Sequence, residues 1–205
     1  IELPPGINGM QPALALNYNS VMGTGPLGIG WSLAGYSIIS RCPKNQATDG
    51  ITGGVQYDAN DKFCLDGQRL ISVEEGVYGA DGTKYRTEVD AHIVVRSYGT
   101  APGGRGPAYF TVTDKTGDVR EYGNSDTSKQ IAVNANTIHS WAISSRRDLF
   151  QNQINFVYDN QDGEFLISKI QYLPTLSGSD LQDIVEFTYE VRNDILTSYH
   201  QGSLL

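Results

Sequence analysis

Short runs of alternating apolar and polar residues, separated by glycine-containing turns, recur along this 205-residue sequence. Such turns stand at Asp66-Gly67, at Lys115-Thr116-Gly117 and in the segment Asp159–Gly163. They favour β-hairpins, because glycine and aspartate tolerate the positive φ that tight hairpin turns require. No segment has convincing helical periodicity. The pattern predicts an all-β fold with little helix, built from antiparallel hairpins into a β-sandwich or a curved, shell-like β-strip.

The segment Gly6–Cys42 organises the predicted packing. Its alternating residues Leu14, Leu16 and Tyr18 are typical of a strand with one buried face. Glycines at positions 23, 25, 28 and 30 follow, and they precede Trp31. We interpret the glycines as a structural bend that seats this tryptophan in the core, and not as a phosphate-binding loop, because no helix follows. The predicted structural core comprises Leu14, Leu16, Tyr18, Trp31, Leu33 and Trp141.

The charge balance limits the classes of partner. The net charge is -8 and the pI is about 4.8, so the chain lacks the basic patch that nucleic-acid phosphates require. No apolar run approaches the roughly 20 residues of a membrane-spanning helix. We therefore expect no nucleic-acid partner and no membrane-spanning segment.

The first residue, Ile1, is not a methionine. A chain of 205 residues has room for one large β domain or two small ones. We expect residues 1–205 to form a single β-domain that is a fragment of a longer protein.

Residues capable of catalysis or metal binding are sparse. His92, His139 and His200 do not stand at metal-ligand spacing, and Cys64 lies in a predicted strand that would present a nucleophile poorly. We expect no catalytic residues and no cofactor. Weak calcium candidates lie in two acidic segments whose residues are equally typical of ordinary turns: Asp58, Asn60, Asp61, Asp159 and Asp162.

Cys42 and Cys64 leave two alternatives open. A disulfide between them would close a loop of about 20 residues and contribute on the order of 3 kcal/mol. Two buried free thiols are the other possibility. The 12 tyrosines and two tryptophans leave a further choice, between a sugar-binding face and ordinary strand packing.

Several sequence blocks carry a family resemblance: Pro4–Gly6, Asn8–Met10, Leu14–Ser20, Gly28–Leu33, Arg41–Pro43 and Phe63–Leu70. They resemble the N-terminal domain shared by the Salmonella virulence plasmid B proteins and the B components of bacterial insecticidal toxin complexes. The segment Phe156–Ile170 also resembles one unit of the tyrosine–aspartate (YD) repeats of Rhs-type proteins.

This resemblance implies a non-catalytic structural domain of a bacterial virulence or insecticidal toxin protein. In such complexes a B component joins a C component in a β-shell that packages a toxic effector for delivery. Any ADP-ribosyltransferase activity would lie in a separate C-terminal domain, whose Glu-x-Glu and Ser-Thr-Ser elements are absent from this sequence. The expected partners are the remainder of its own polypeptide and a toxin C-type or Rhs partner. The expected location is secreted or extracellular, after synthesis in the bacterial cytoplasm. The alternative is a secreted or surface carbohydrate-binding or adhesion module of an Rhs-like protein.

Overall fold

The computed structural model describes residues 1–25, 27–89, 92–132, 136–160, 165–174, 181–190, 199–200 and 203–204. The strands are β1 (Ala15–Tyr18), β2 (Thr24–Gly25), β3 (Gly28–Ile29), β4 (Trp31–Ala34), β5 (Ile38–Cys42), β6 (Lys62–Leu65), β7 (Gln68–Ser72), β8 (Lys84–Thr87), β9 (Ile93–Tyr98), β10 (Tyr109–Asp114), β11 (Val119–Tyr122), β12 (Lys129–Ala132), β13 (Thr137–Arg147), β14 (Gln153–Asp159), β15 (Leu166–Pro174), β16 (Leu181–Glu186), β17 (Tyr199–His200) and β18 (Ser203–Leu204). One short α-helix, α1 (Gln46–Asp49), and 3-10 turns at Ile7–Gly9, Pro102–Gly104 and Asp126–Ser128 complete the described elements.

The main sheet closes on itself. Strands β5 to β11 pair with their neighbours in antiparallel order, and β13 pairs with both β5 and β11. Eight strands therefore form a ring without free edges, which removes the unpaired backbone groups that an open sheet exposes. This antiparallel, barrel-like shell confirms the predicted all-β fold class.

The long strand β13 joins the ring to an arm. Its first half pairs with β5 and β12, and its second half pairs with β11 and β14. Strands β14, β15 and β16 continue outward from β13 in antiparallel order. This strand of 11 residues therefore belongs to both the ring and the arm. Its two faces are both covered, which explains why the adjacent residues Ala142 and Ile143 are both buried although their side chains point to opposite faces.

Aromatic side chains fill the core of the ring. Trp141 is fully buried and meets Phe63 and Phe110 edge-on, at centroid distances of 5.4 Å and 5.1 Å. Phe63 and Phe110 lie 5.3 Å apart, also edge-on. Aromatic rings favour this arrangement, because the positive edge of one ring faces the negative face of another. The ring therefore encloses a packed interior, and the structure places Leu14 in the same core cluster as Trp141.

The predicted hairpins are present. Strands β6 and β7 flank Asp66 and Gly67, whose φ values of 49° and 82° are those of a tight hairpin turn. Strands β10 and β11 flank the turn at Gly117. Strands β14 and β15 pair as expected, although most of the intervening segment lies outside the described residues.

Three core predictions are wrong. Leu16 is 53% exposed, Tyr18 is 60% exposed and Trp31 is 42% exposed. The physical reason is that β1 pairs with β4 in a separate two-stranded sheet, and the ring does not cover these three side chains. Leu33 is partly buried and packs against the core cluster.

The region between β5 and β6 contains one helix and an irregular segment. The first turn of α1 is capped by the Asn45 side chain, which accepts from the Thr48 N–H. Residues 55–57 have no regular secondary structure, and Val55 and Tyr57 pack with Ala132 in a small second cluster. The open question about the cysteines is resolved, since Cys42 and Cys64 are joined by a disulfide.

Candidate interaction surface

The exposed large apolar side chains concentrate in the segment between residues 16 and 36. This apolar hairpin comprises β1, β4 and the residues between them. It exposes the following side chains: Leu16, Tyr18, Val21, Met22, Leu27, Ile29 and Trp31. A contiguous exposed apolar patch is uncommon on a monomeric soluble protein and marks an interaction site.

The register of the hairpin gathers the mispredicted core residues on one face. Leu16 lies opposite Leu33, and Tyr18 lies opposite Trp31. Directly opposed residues and alternate residues along a strand share one side of a sheet. The Tyr18 and Trp31 rings lie 5.2 Å apart in a tilted arrangement. The residues thus form the common face that the alternation indicates. Leu33 on this face packs against the core, whereas Leu16, Tyr18 and Trp31 remain exposed.

A glycine fixes the hairpin close to the preceding chain. Gly35 has a φ of 110°, and a Cβ placed there would lie 2.3 Å from the Ala13 carbonyl oxygen. Only glycine accommodates both the positive φ and this approach. Gly35 lies outside the bend predicted at glycines 23, 25, 28 and 30, and the prediction that this bend seats Trp31 in the core is wrong, because Trp31 is exposed.

A groove of about 800 Å³ runs between the apolar hairpin and the arm. Leu16, Trp31 and Leu33 line its hairpin side. The arm side is lined by residues 165–167, around the start of β15, and by residues 186–190, from the last residue of β16 onward. We call this cavity the apolar groove, since most of its lining belongs to aliphatic and aromatic side chains.

Polar groups at the apolar groove include tyrosine hydroxyls and carboxylates, besides Ser32, Gln130 and Thr188. Burial raises the pKa of Tyr36, and it raises the pKa of Tyr189 to about 12. The Tyr189 hydroxyl donates to the Ile167 carbonyl at 2.7 Å. Glu186 and Glu190 are the charged residues among those that line the groove.

The most deeply buried ion pair among the described residues lies away from the groove, beside the aromatic side chains of the ring interior. Arg41 is buried and its Nη1 lies 2.9 Å from Asp61 Oδ2, while its Nε donates to the Ile138 carbonyl at 2.7 Å. The guanidinium also faces the rings of Phe63 and Trp141. Every feature of this site holds the ring together, so we assign it a structural role. Sequence reasoning missed it, although Arg41 shares strand parity with the apolar Ile39, which indicates a charge on a buried face.

Two of the weak calcium candidates, Asp58 and Asp61, accept hydrogen bonds from the chain itself. Asp58 Oδ1 accepts from the Asn60 N–H at 2.7 Å, and Asp61 accepts from the Gln56 N–H as well as from Arg41. Asp159 ends β14, and Asp162 lies outside the described residues. Within the described part of the chain, no cluster of three or more His, Cys, Asp or Glu residues could hold a metal ion.

None of the helices in the described residues has both the length and the apolar character needed to cross a bilayer.

The sequence comparisons give a family and a curated relative. A family model described as Salmonella virulence plasmid 65kDa B protein matches residues 1–175. The mono(ADP-ribosyl)transferase SpvB of Salmonella typhimurium (strain 14028s / SGSC 2262) is 42% identical over 75 residues, which are 35% of this chain and 11% of the relative. The chain thus spans only a small part of the curated relative that it matches.

Two solved structures share the fold. The N-terminal domain of effector protein SpvB from Salmonella typhimurium strain LT2 has a TM-score of 0.64 at 20% identity, covering 83% of this chain and 62% of that one. The crystal structure of TcdB2-TccC3 has a TM-score of 0.68 at 20% identity, covering 100% of this chain and 12% of the other.

Proposed function

This chain belongs to the family of the Salmonella virulence plasmid 65kDa B protein, and on that premise we propose that it is a non-catalytic structural domain of a bacterial toxin. Its task is to add a closed, rigid β-unit to a larger shell or scaffold that packages or delivers a toxic effector. The observation that carries the proposal is the apolar hairpin, which leaves Trp31 and its neighbours uncovered above the apolar groove.

The ring suits the role of a rigid support. Its interior is filled by the aromatic side chains of Trp141, Phe63 and Phe110, which pack edge-on against one another. The sheet that carries these side chains has no free edge within its closed part. A support of this kind holds a docking surface in a fixed shape, and a preformed surface loses less entropy when it binds.

We assign the remainder of a longer polypeptide as the occupant of the apolar groove. This chain corresponds to 12% of the TcdB2-TccC3 chain whose fold it shares, so most of such a protein lies outside the homologous region. An apolar surface that is permanently covered within one polypeptide costs no solubility. We further propose that a C-type partner makes a second contact with this chain, and that the resulting complex acts after secretion. The same proposal has three further parts. Residues 1–205 form a single domain, this domain is related to Rhs-type proteins, and it carries no ADP-ribosyltransferase activity.

The test is a binding assay between this chain and the remaining part of its longer protein, produced separately. We expect stable association, and we expect the double variant Leu16→Ser/Trp31→Ser to weaken it at least tenfold, because both side chains belong to the apolar patch. Phe150→Ser is the matched control, since Phe150 is 77% exposed and does not line the apolar groove. It should bind as the parent chain does.

The outcome that contradicts the proposal is equally defined. Binding of the double variant and the control with the affinity of the parent chain would show that the apolar hairpin is not the docking surface. Concentration-dependent dimerisation that the double variant abolishes would assign the surface to a second copy instead. Retention on a glycan array would favour the carbohydrate-binding alternative.

A further inference from the structure

The disulfide lies beside a buried arginine on three adjacent strands. Cys42 is on β5 and Cys64 is on β6, with 5.9 Å between their Cα atoms. Cys64 lies directly opposite Arg69 on β7. The Arg69 side chain extends past Cys64 and brings its Nη1 to 3.2 Å from the Cys42 sulfur. The guanidinium thus contacts one particular sulfur of the bridge.

The hydrogen bonds of Arg69 are unevenly satisfied. Its Nη2 donates to the Pro43 carbonyl at 2.8 Å and to Asp49 Oδ2 at 2.5 Å. Its Nε is buried without a partner among the described residues, and its Nη1 faces only a disulfide sulfur and no oxygen acceptor. A disulfide sulfur is a weak acceptor. A thiolate at the same position would be a charged acceptor, and charge-assisted hydrogen bonds are about twice as strong as neutral ones.

We propose that Cys42 and Cys64 form a reversible thiol–disulfide exchange site, in which Arg69 stabilises the reduced pair by binding Cys42 as a thiolate. The substrate class is a small dithiol, or two molecules of a monothiol of the glutathione type. Reduction breaks the Cys42–Cys64 bond and forms one disulfide in the reductant. The two electrons pass to the protein sulfurs, Cys64 keeps one proton as a thiol, and the second proton is released to water.

The surrounding structure allows both redox states. Reduction removes the covalent link across β5 and β6 but leaves their backbone pairing. The Arg41–Asp61 ion pair also remains, and it ties the segment between the cysteines to the ring. The predicted consequence of reduction is a loosened segment around α1 on an intact ring. This site is independent of the docking role proposed above, so either proposal can fail alone.

The test measures the equilibrium between disulfide and dithiol in glutathione and dithiothreitol buffers, by alkylation and mass spectrometry. Arg69→Gln should shift the equilibrium toward the disulfide about tenfold, the size of one lost hydrogen bond to a charged group. Asp49→Asn should shift it the opposite way, because it removes the carboxylate that competes for the guanidinium. Arg86→Gln, on the exposed side of β8, is the control and should change nothing.

The opposite signs separate this proposal from a merely structural role. Shifts in the same direction for Arg69→Gln and Asp49→Asn would be ordinary destabilisation and would overturn it. A second measurement uses the reduced parent chain, so that it requires no variant to fold: Cys42 should react with iodoacetamide at pH 7 about tenfold faster than Cys64. Equal rates, or a faster Cys64, would also overturn it.

Discussion

The buried ion pair between Arg41 and Asp61 gives the sharpest prediction about stability. The exposed fraction of the Arg41 side chain is 0% and that of the Asp61 side chain is 1%. Burial lowers the pKa of the guanidinium, and the Asp61 carboxylate opposes that shift. Asp61→Asn removes the compensating charge while it keeps the shape of the side chain. The guanidinium is then left buried with neutral partners.

The magnitude follows from the burial. Removal of one partner of a buried pair costs about 3–5 kcal/mol, because the other charge stays desolvated. The amide oxygen of asparagine still accepts one hydrogen bond, so we expect the lower end, about 3 kcal/mol. For a chain of this length, 1 kcal/mol corresponds to about 2–4 °C in Tm. The expected loss is therefore about 6–12 °C.

Differential scanning calorimetry is the assay, with Glu74→Gln as the matched control. Glu74 pairs with Lys84, but these side chains are 45% and 36% exposed, so the control should cost less than about 1 kcal/mol. Added salt should leave the loss of stability caused by Asp61→Asn unchanged, since a buried ion pair is poorly screened. Equal losses in the two variants would refute the reasoning, and would mean that the surrounding carbonyls and aromatic rings alone sustain the buried guanidinium.

Two further predictions concern the core and alkaline pH. Trp141→Ala should lower the free energy of unfolding by about 3–5 kcal/mol, whereas Trp31→Ala should lower it by less than about 1 kcal/mol, as measured by urea denaturation; comparable losses would contradict the burial described here. Burial raises the pKa of Tyr122 and Tyr158, so the folded state keeps protons that the unfolded state releases above about pH 10. Stability should therefore fall as the pH rises above about 10, and Tyr158→Phe should make that fall shallower in urea midpoints recorded between about pH 9 and 12; an unchanged slope would contradict it.

Local turn chemistry is the part of this fold that the sequence predicts well. Asp66 and Gly67 adopt the positive φ values that a two-residue hairpin needs, and those values depend only on the turn itself. The same holds for Gly117 between β10 and β11. These turns fix which strands pair as hairpins, and hence the antiparallel fold class.

Closure of the ring is set by contacts that local patterns do not encode. Strand β13 pairs with β5 across about 100 residues, as Trp141 lies opposite Ile39. The choice of that partner depends on how the whole interior packs, so periodicity alone cannot give it. The strand pattern is the same in an open strip and in a closed ring.

The misassigned core shows the same limit at the level of side chains. Alternation indicates correctly that Leu16 and Tyr18 share a face, and the register places Trp31 on it. Alternation does not say what covers that face. Leu14 has the same parity as Leu16 but lies in the core, because it precedes β1, the strand with which the apolar hairpin begins.

The central claim is that the apolar hairpin is covered when this chain is part of a longer toxin polypeptide. Hydroxyl-radical footprinting with mass spectrometry tests it directly, by comparing Trp31 and Met22 in the isolated chain and in the longer protein. We predict strong protection of both residues in the longer protein, with Phe150 equally reactive in the two samples. Unchanged reactivity of Trp31 and Met22 would contradict the account, because the surface proposed for docking would then remain open to solvent.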